Sequence, residues 1–418
     1  MIVDSLPVRI VAGLSAVALW AVVFDAGVRG AAAAPAPERA ASPVGARPHR
    51  DSLTKRANAR APETGAEIFR ATCAGCHGNG QGAPQTTVAF AVPVPDFTNC
   101  GLTTPETTVD YAAIIRDGGP VRSFSRIMPA FRDLLTPEQI RRVVAYMRSL
   151  CSDPAWPRGE FNVPLAQVTE KAFPEDEILL KNITATRGPG VVQNHFIIEK
   201  RFLKRDQLEV DVPFVSMQRP ESSWVSGLGD ASITVKHVFL ANVARGTIVS
   251  TLAGVVFPTG NPATGFGTGT ASFEAFILGA QLLPALGRTQ IIPPWSYFQY
   301  QAGVSLPTNP SRAPRTASWS GALGTTFGLG PITRIWSPMV EVTGTRALVS
   351  GAPVDWSVVP QFQVSLSALQ HVRASVGVDV PLTQRDTRST QIVAYILWDT
   401  FDGPLFQGWK GWCPGCEH

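Results

Sequence analysis

From Asp176 onward, apolar and polar residues alternate in segments of ten to fifteen residues, and this period of two constrains the fold more than any other feature. In one segment Val354, Trp356, Val358, Pro360, Phe362, Val364, Leu366 and Ala368 alternate with Asp355, Ser357, Gln361, Gln363, Ser365 and Ser367. In the next, Val372, Ala374, Val376, Val378, Val380 and Leu382 alternate with His371, Arg373, Ser375, Gly377 and Asp379. Twelve such segments begin near residues 176, 192, 206, 231, 246, 272, 295, 318, 335, 354, 371 and 389. The strands of a soluble sandwich usually run ~5–6 residues, whereas a strand crossing a bilayer at a tilt needs ~9–11. The pattern therefore predicts an all-β antiparallel transmembrane barrel of about twelve strands over residues 175–401.

Composition agrees with this. Only 16% of the residues are charged, against roughly 25% in soluble globular proteins, and 37 Gly with 35 Pro supply turns. The balance of 36 Lys and Arg against 32 Asp and Glu suits neither a nucleic-acid binder nor a disordered chain. No apolar run reaches the ~18 residues of a helical span. Connections after odd-numbered segments are often long (217–230, 260–271, 309–317), and Pro213, Pro258, Pro307 and Pro381 all fall near the ends of odd segments. Those after even segments are mostly short (203–205, 243–245, 369–370), with 285–294 an exception. Short turns are periplasmic and long loops extracellular in bacterial barrels, so an even strand count places both barrel ends in the periplasm.

The N-terminus reads as an export signal over residues 1–33. Arg9 precedes an apolar run from Ile10 to Phe24, too short to span, and Ala31 to Ala34 offer small residues for cleavage. Residues 34–63 are rich in Ala, Pro and Arg without a periodic apolar face, the composition of a linker.

A helical domain is expected over 64–151. Thr64 and Glu67 form a capping box, and the helix they open runs into Cys73-Ala74-Gly75-Cys76-His77. C-x-x-C-H is the attachment signature of a c-type haem: two thiols form thioethers with the vinyl groups, and the adjacent His lies under the iron. The competing zinc or redox readings lack a second Cys/His pair at zinc-finger spacing. One covalent haem c is thus expected, bound by Cys73, Cys76 and His77. Of the five Met, Met1 starts the signal, Met147 falls on the apolar face of a helix, and Met217 and Met339 lie far down the chain. Met128 remains as the second iron ligand, held extended by Pro129. Thr136 and Gln139 form a second box ahead of a helix over 137–150, whose Ile140, Val143, Val144 and Met147 line one face.

On Gly65, Phe69, CAGCH, Met128 within MPAF and the last helix with Tyr146, residues 64–150 resemble a class I mono-haem cytochrome c domain. That resemblance implies His77 and Met128 as axial ligands, a Gly on the first helix packed against an aromatic on the last, and single-electron transfer rather than enzymatic catalysis. The barrel resembles outer-membrane transporters associated with aromatic-compound degradation, through Gly227-Leu228-Gly229-Asp230 and the Phe-Pro-Thr-Gly stretch at 257–260. The combination is similar to the cytochrome–porin fusions of iron-oxidising bacteria. These resemblances imply electron transfer at the outer membrane, and the periplasmic barrel ends expected from the connections tether the cytochrome domain in the periplasm.

Cys100 and Cys151 flank the helical domain, and an oxidising compartment favours their pairing. Arg116, Arg122 and Arg126 precede Met128 and read either as haem-propionate partners or as solvated surface charge. Residues 152–174 are expected to be a Pro-broken linker that lets the helical domain cap the periplasmic opening. In the tail, 402–418, Cys413 and Cys416 read as a local disulfide or, with His418, a metal clasp.

Two functions stay open. In one, the haem exchanges single electrons at the outer membrane between a small donor entering the lumen and a periplasmic electron carrier. In the other, the barrel is an uptake channel for a small solute with an accessory cytochrome domain. Partners beyond these are outer-membrane lipid, and no nucleic acid. A peroxidase fits less well, because Met128 would occupy the position peroxide needs.

Overall fold

The computed structural model describes residues 62–82, 94–122, 124–219, 223–286, 295–330 and 333–400. The export signal, nearly all of the first linker, and the tail with Cys413 and Cys416 lie outside these residues.

The N-terminal part is helical: α1 (Gly65–Thr72), α2 (Ala74–His77), α3 (Cys100–Thr103), α4 (Thr108–Asp117) and α5 (Pro137–Ser149). Both expected capping boxes form. Thr64 Oγ1 accepts from the Glu67 amide at 3.2 Å while Glu67 accepts from the Thr64 amide at 2.9 Å, and Thr136 with Gln139 repeats the arrangement. The expected face of α5 is core, since Ile140, Val143, Val144 and Met147 are all buried. The core also takes in Ile68, Phe69 and Phe97. A disulfide joins Cys100 to Cys151, with Cα atoms 5.0 Å apart.

Helices α1 and α5 cross where Gly65 lies against α5. A Cβ on Gly65 would stand 2.1 Å from the Arg142 carbonyl oxygen and 2.9 Å from Tyr146 Cβ, so only glycine permits this approach. Gly65→Ala is expected to cost about 1–3 kcal/mol, the usual penalty of overpacking. Amide hydrogen exchange in α5 reads it: faster exchange is the expected result, and unchanged protection would show that the crossing does not depend on this contact.

The rest of the chain is a β-barrel. Its strands are β1 (Glu177–Ala185), β2 (Val191–Arg201), β3 (Asp206–Gln218), β4 (Trp224–Leu228), β5 (Ser232–Asn242), β6 (Thr247–Val256), β7 (Ser272–Leu282), β8 (Ser296–Pro307), β9 (Thr316–Thr325), β10 (Phe327–Leu329), β11 (Arg334–Ala347), β12 (Asp355–Ser365), β13 (Val372–Pro381) and β14 (Gln391–Asp399). Two pairs each act as one wall strand. β4 and β5 both pair with β3, and β9 and β10 both pair with β11. The wall is therefore twelve-stranded and antiparallel, and β1 pairs with β14 over Glu177–Ala185 to close it. Closure removes the open edges that a sandwich would keep.

The alternation turns the barrel inside out relative to a soluble protein. Phe273, Ile277, Leu323 and Phe362 are 42–55% exposed on the outer surface, whereas Lys236, Gln299, Glu341 and Ser357 are at most 1% exposed inside. A closed wall with an apolar exterior satisfies every backbone group internally while facing lipid, which is how β chains span outer membranes. Among the described residues no helix is long and apolar enough to cross a membrane.

The two ends of the barrel differ. One carries connections 202–205, 243–246, 330–333 and 366–371, with 283–295 the long exception; the other carries 257–271, 308–315, 348–354 and 382–390, with 186–190 the short exception. β1 begins and β14 ends at the short-turn end.

The segment expected as a linker differs from expectation. Beyond the 3-10 turn Gly159–Phe161 it has no regular element, but it is packed, not loose, because residues 161–175 run inside the barrel. Phe161 and Phe173 are buried in a cluster with Val238, Ile248, Leu278 and Tyr297. Polar groups of the segment bond to the wall on nearly all sides: Gln167 to Ser375 at 3.0 Å, Glu170 N to Gln301 at 2.9 Å, Glu175 N to Gln207 at 2.7 Å, and Ser250 to the Ala172 carbonyl. Gln299 and Tyr395 donate to the carbonyls of Pro164 and Leu165 at 2.8 and 2.6 Å. Beside this plug a cavity of about 10 Å³ remains, lined by Leu165, Glu170, Glu199, Glu209 and Tyr395, room for about one water. A chain without regular structure leaves its amides and carbonyls open, and the polar lumen wall satisfies them.

Candidate functional site

The turn between α1 and α2 places the first motif. Cys73 closes α1, and its amide donates to the Phe69 carbonyl at 2.8 Å; the His77 amide donates to the Cys73 carbonyl at 2.9 Å, so Cys73 and His77 stand one helical turn apart. Cys73 is buried and Cys76 exposed, and both thiols are free of disulfide bonding. Burial pushes the Cys73 thiol up and the His77 imidazole down. The His77 ring packs 5.2 Å from Phe97 and 6.5 Å from Phe69, between centroids.

Met128 reaches the same apolar cluster as Cys73, Ala74, Phe69 and Phe97. It lies at the end of an excursion that leaves α4 at Gly118 and Gly119, and the Gly119 amide closes that excursion by donating to the Met128 carbonyl at 3.0 Å. Gly118 has φ +86°, and a Cβ there would stand 3.1 Å from the Met128 carbonyl oxygen. Of the sequence-predicted residues, Cys73 and Met128 thus share one cluster, the His77 ring packs against its Phe69 and Phe97, and Cys76 stays exposed beside it. Met147 packs into that cluster from α5 and is a core residue.

The donor set, two thiols, an imidazole and a thioether around an apolar floor, is chemistry suited to a covalently held haem iron. The His77 Nδ1 is buried and has no hydrogen-bond partner. An imidazole buried beside two free thiols with one nitrogen unpartnered fits a place that a non-protein group completes.

Residues 60–147 match the family described as cytochrome c oxidase, cbb3-type, subunit III. These residues are a cytochrome c domain. A haem cofactor follows from that match, and the chain joins this domain to a barrel of the outer-membrane kind. No curated protein matches the chain. Solved structures with similarity to it include an outer-membrane channel from Pseudomonas putida F1, at 13% identity and TM-score 0.38 over 56% of this chain and 99% of that one. The KdgM porin in complex with disordered oligogalacturonate follows at 9% and 0.33, covering 53% and 98%, and the NanC porin at 6% and 0.36, covering 53% and 98%.

The cytochrome c domain sits on the short-turn end of the barrel. Arg122, 1% exposed, pairs with Asp110 at 2.8 Å and donates to the Thr333 carbonyl at 3.4 Å. Arg116 pairs with Asp117 and donates to Thr333 Oγ1 at 2.8 Å. Arg122 is therefore a buried charge that faces the barrel and not a solvated one, whereas Arg116 keeps a side chain 44% exposed while it bonds Thr333. Lys204 and Arg205, on the turn after β2, hold Asp153 at 2.6 Å and the Ala155 carbonyl at 2.9 Å.

A further contact is pH-sensitive. His371, just ahead of β13, lies 3.3 Å from Glu106. Burial pulls the His371 imidazole down, but the hydrogen bond and charge of Glu106 win and push it up to about 9; Asp399 adds to this and Arg373 opposes it. Burial likewise raises the Glu106 carboxyl, and His371, Arg373 and Arg148 hold it below its ordinary value. The imidazole contribution is therefore complete below ~6.5 and is lost as pH rises through about 9. The carboxylate contribution is present above ~4.3 and fades as pH falls through the lowered value. Protection of the amides around Glu106, taken as exchange relative to the intrinsic rate at each pH, should thus be highest between these limits, and Glu106→Gln should flatten the profile. A wild-type protection profile with no fall near pH 9 would show that the pair does not hold the dock.

Sequence reasoning missed the barrel side of this arrangement. Thr333 carries no motif, and its partners are more than two hundred residues away. Glu341 did leave a signal, a lone acid in mid-strand with inward parity; it accepts from the Val168 amide at 3.1 Å, from Thr169, and from Gln361 at 2.9 Å. The two barrel motifs meet at the long-loop end, where Asp230 accepts from the Gly260 and Thr268 amides at 3.0 and 2.7 Å.

Proposed function

We propose that this protein carries single electrons at the outer membrane through one covalently attached haem, held by thioethers from Cys73 and Cys76 and by His77 and Met128 as axial ligands. The observation that carries the reading is the sharing of one apolar cluster by Cys73 and Met128, with the His77 ring packed against Phe69 and Phe97 of that cluster. When bound, the haem supplies a one-electron couple. The chain's own groups do the rest: the Cys73 and Cys76 thiols would attach the haem, His77 and Met128 would ligate its iron, and Ile68, Phe69 and Phe97 would exclude water from the pocket.

The domain boundaries of this reading are 64–151 for the cytochrome c domain, 152–174 for the connection and 175–401 for the barrel. The short-turn end faces the periplasm, so a periplasmic electron carrier reaches the haem domain from outside the barrel. Residues 161–175 occupy the lumen, and this favours a barrel that anchors and orients the cytochrome over one through which a small donor or solute passes.

The pyridine haemochrome spectrum and the intact mass of the purified protein test the cofactor. One haem per chain, retained after denaturation and lost in Cys73→Ala/Cys76→Ala, is the expected result. Extractable haem in the wild type would sink the covalent reading.

A further inference from the structure

The excursion that ends at Met128 is rooted on the last turn of α4. Beyond the Gly119 bond, the Phe131 amide donates to the Ile115 carbonyl and the Arg132 amide to the Arg116 carbonyl, each at 3.0 Å. Arg132 also pairs with Asp117 at 3.1 Å. The placement of Met128 therefore depends on where residues 115–119 stand.

Among the described residues, that turn of helix is gripped by the barrel at Thr333. The Thr333 hydroxyl accepts from Arg116 at 2.8 Å and donates to Asp117 at 2.7 Å. The Thr333 carbonyl accepts from Arg122, which lies within the excursion itself and is locked to Asp110 on α4. Thr333 is 4% exposed and has φ +48°. A β-branched residue in the left-handed region is a true outlier that costs ~1–3 kcal/mol and persists only where its surroundings over-determine it. The strained backbone turns hydroxyl and carbonyl together toward the cytochrome c domain.

We propose that Thr333 is a positioning residue for Met128, so that a barrel turn sets how firmly the thioether is held toward the haem iron. This inference rests on the axial-ligand reading above. Groups that orient a metal ligand without touching the metal are worth ~10–100-fold in affinity. Thr333 acts at two removes, through Arg116 and Asp117, and the lower end of that range applies.

The test uses the full-length, haem-loaded protein in detergent, with imidazole as the competing ligand for the ferric iron. Thr333→Ala should bind imidazole roughly tenfold more tightly than wild type and lose intensity in the sulfur-to-iron charge-transfer band, while Thr333→Ser, which keeps the hydroxyl, stays near wild type. Glu106→Gln loosens the dock on its His371 side and should leave both readouts unchanged. Wild-type behaviour of Thr333→Ala would overturn the inference. So would an equal effect of Glu106→Gln, because docking in general, not Thr333, would then be responsible. Met128→Ala separates the two layers: if it fails to open the iron to imidazole, the ligand reading itself falls and takes this inference with it.

Discussion

Met128→Ala should leave the haem attached and open one face of the iron. Attachment depends on Cys73 and Cys76, which sit on the α1–α2 turn and, among the described residues, make no backbone hydrogen bond to the excursion that begins at Gly118. A small ligand binds the intact protein only in the fraction of molecules whose thioether has swung away. Minor states of this kind are populated at ~0.1–10%, and apparent affinity falls by the same fraction. Removing the thioether should therefore strengthen imidazole or carbon monoxide binding roughly ten- to thousandfold and convert a low-spin spectrum to a mixed or high-spin one. Among the described residues His195, His237 and His371 lie on the barrel, and Met147 is in the core of α5. An unchanged spectrum would move the second ligand away from Met128 and overturn this assignment.

The second large effect concerns the plug. The wild-type barrel should show no steady open-pore conductance in planar bilayers, and replacing residues 163–173 by a Gly/Ser stretch of equal length should open it. Twelve strands fall between the eight-stranded barrels filled by side chains and the sixteen- to eighteen-stranded porins with aqueous channels, so the opened pore should conduct below porin levels. Glu341→Ala tests the same idea without removing the segment. It leaves the donors of Val168, Thr169 and Gln361 without their acceptor, at roughly 1–3 kcal/mol for each buried group left unsatisfied, and brief openings should appear. Wild-type conductance equal to that of the plugless variant would restore the lumen as a path for a donor or solute.

The barrel was legible in the sequence because a strand's two faces are written into its residues one by one. Ser357, Gln361 and Gln363 point inward and Val358, Pro360 and Phe362 outward wherever the strand is placed, and the twelve expected segments correspond to the twelve wall strands. The sequence expectation began the fourth of these near 231 and missed β4, because Gly227 within β4 and Gly229 and Asp230 after it interrupt the alternation. The capping boxes were equally legible, since donor and acceptor lie three residues apart. So was the nearness of Cys73, Cys76 and His77, which a single turn of chain enforces.

What the sequence by itself determined, then, is everything whose partners are close along the chain or repeat with the period of an element: the strands, the helix starts, the C-x-x-C-H turn and the apolar face of α5. Tertiary structure decided where residues 161–175 go and what Arg116, Arg122 and Glu106 are for. Thr169 finds Glu341 across 172 residues, Arg122 finds Thr333 across 211, and Tyr395 finds the Leu165 carbonyl across 230. Nothing local distinguishes these side chains from solvated ones. Their partners exist only once the barrel has closed and its lumen, lined with unpaired polar groups, offers the irregular segment the hydrogen bonds that water would otherwise supply.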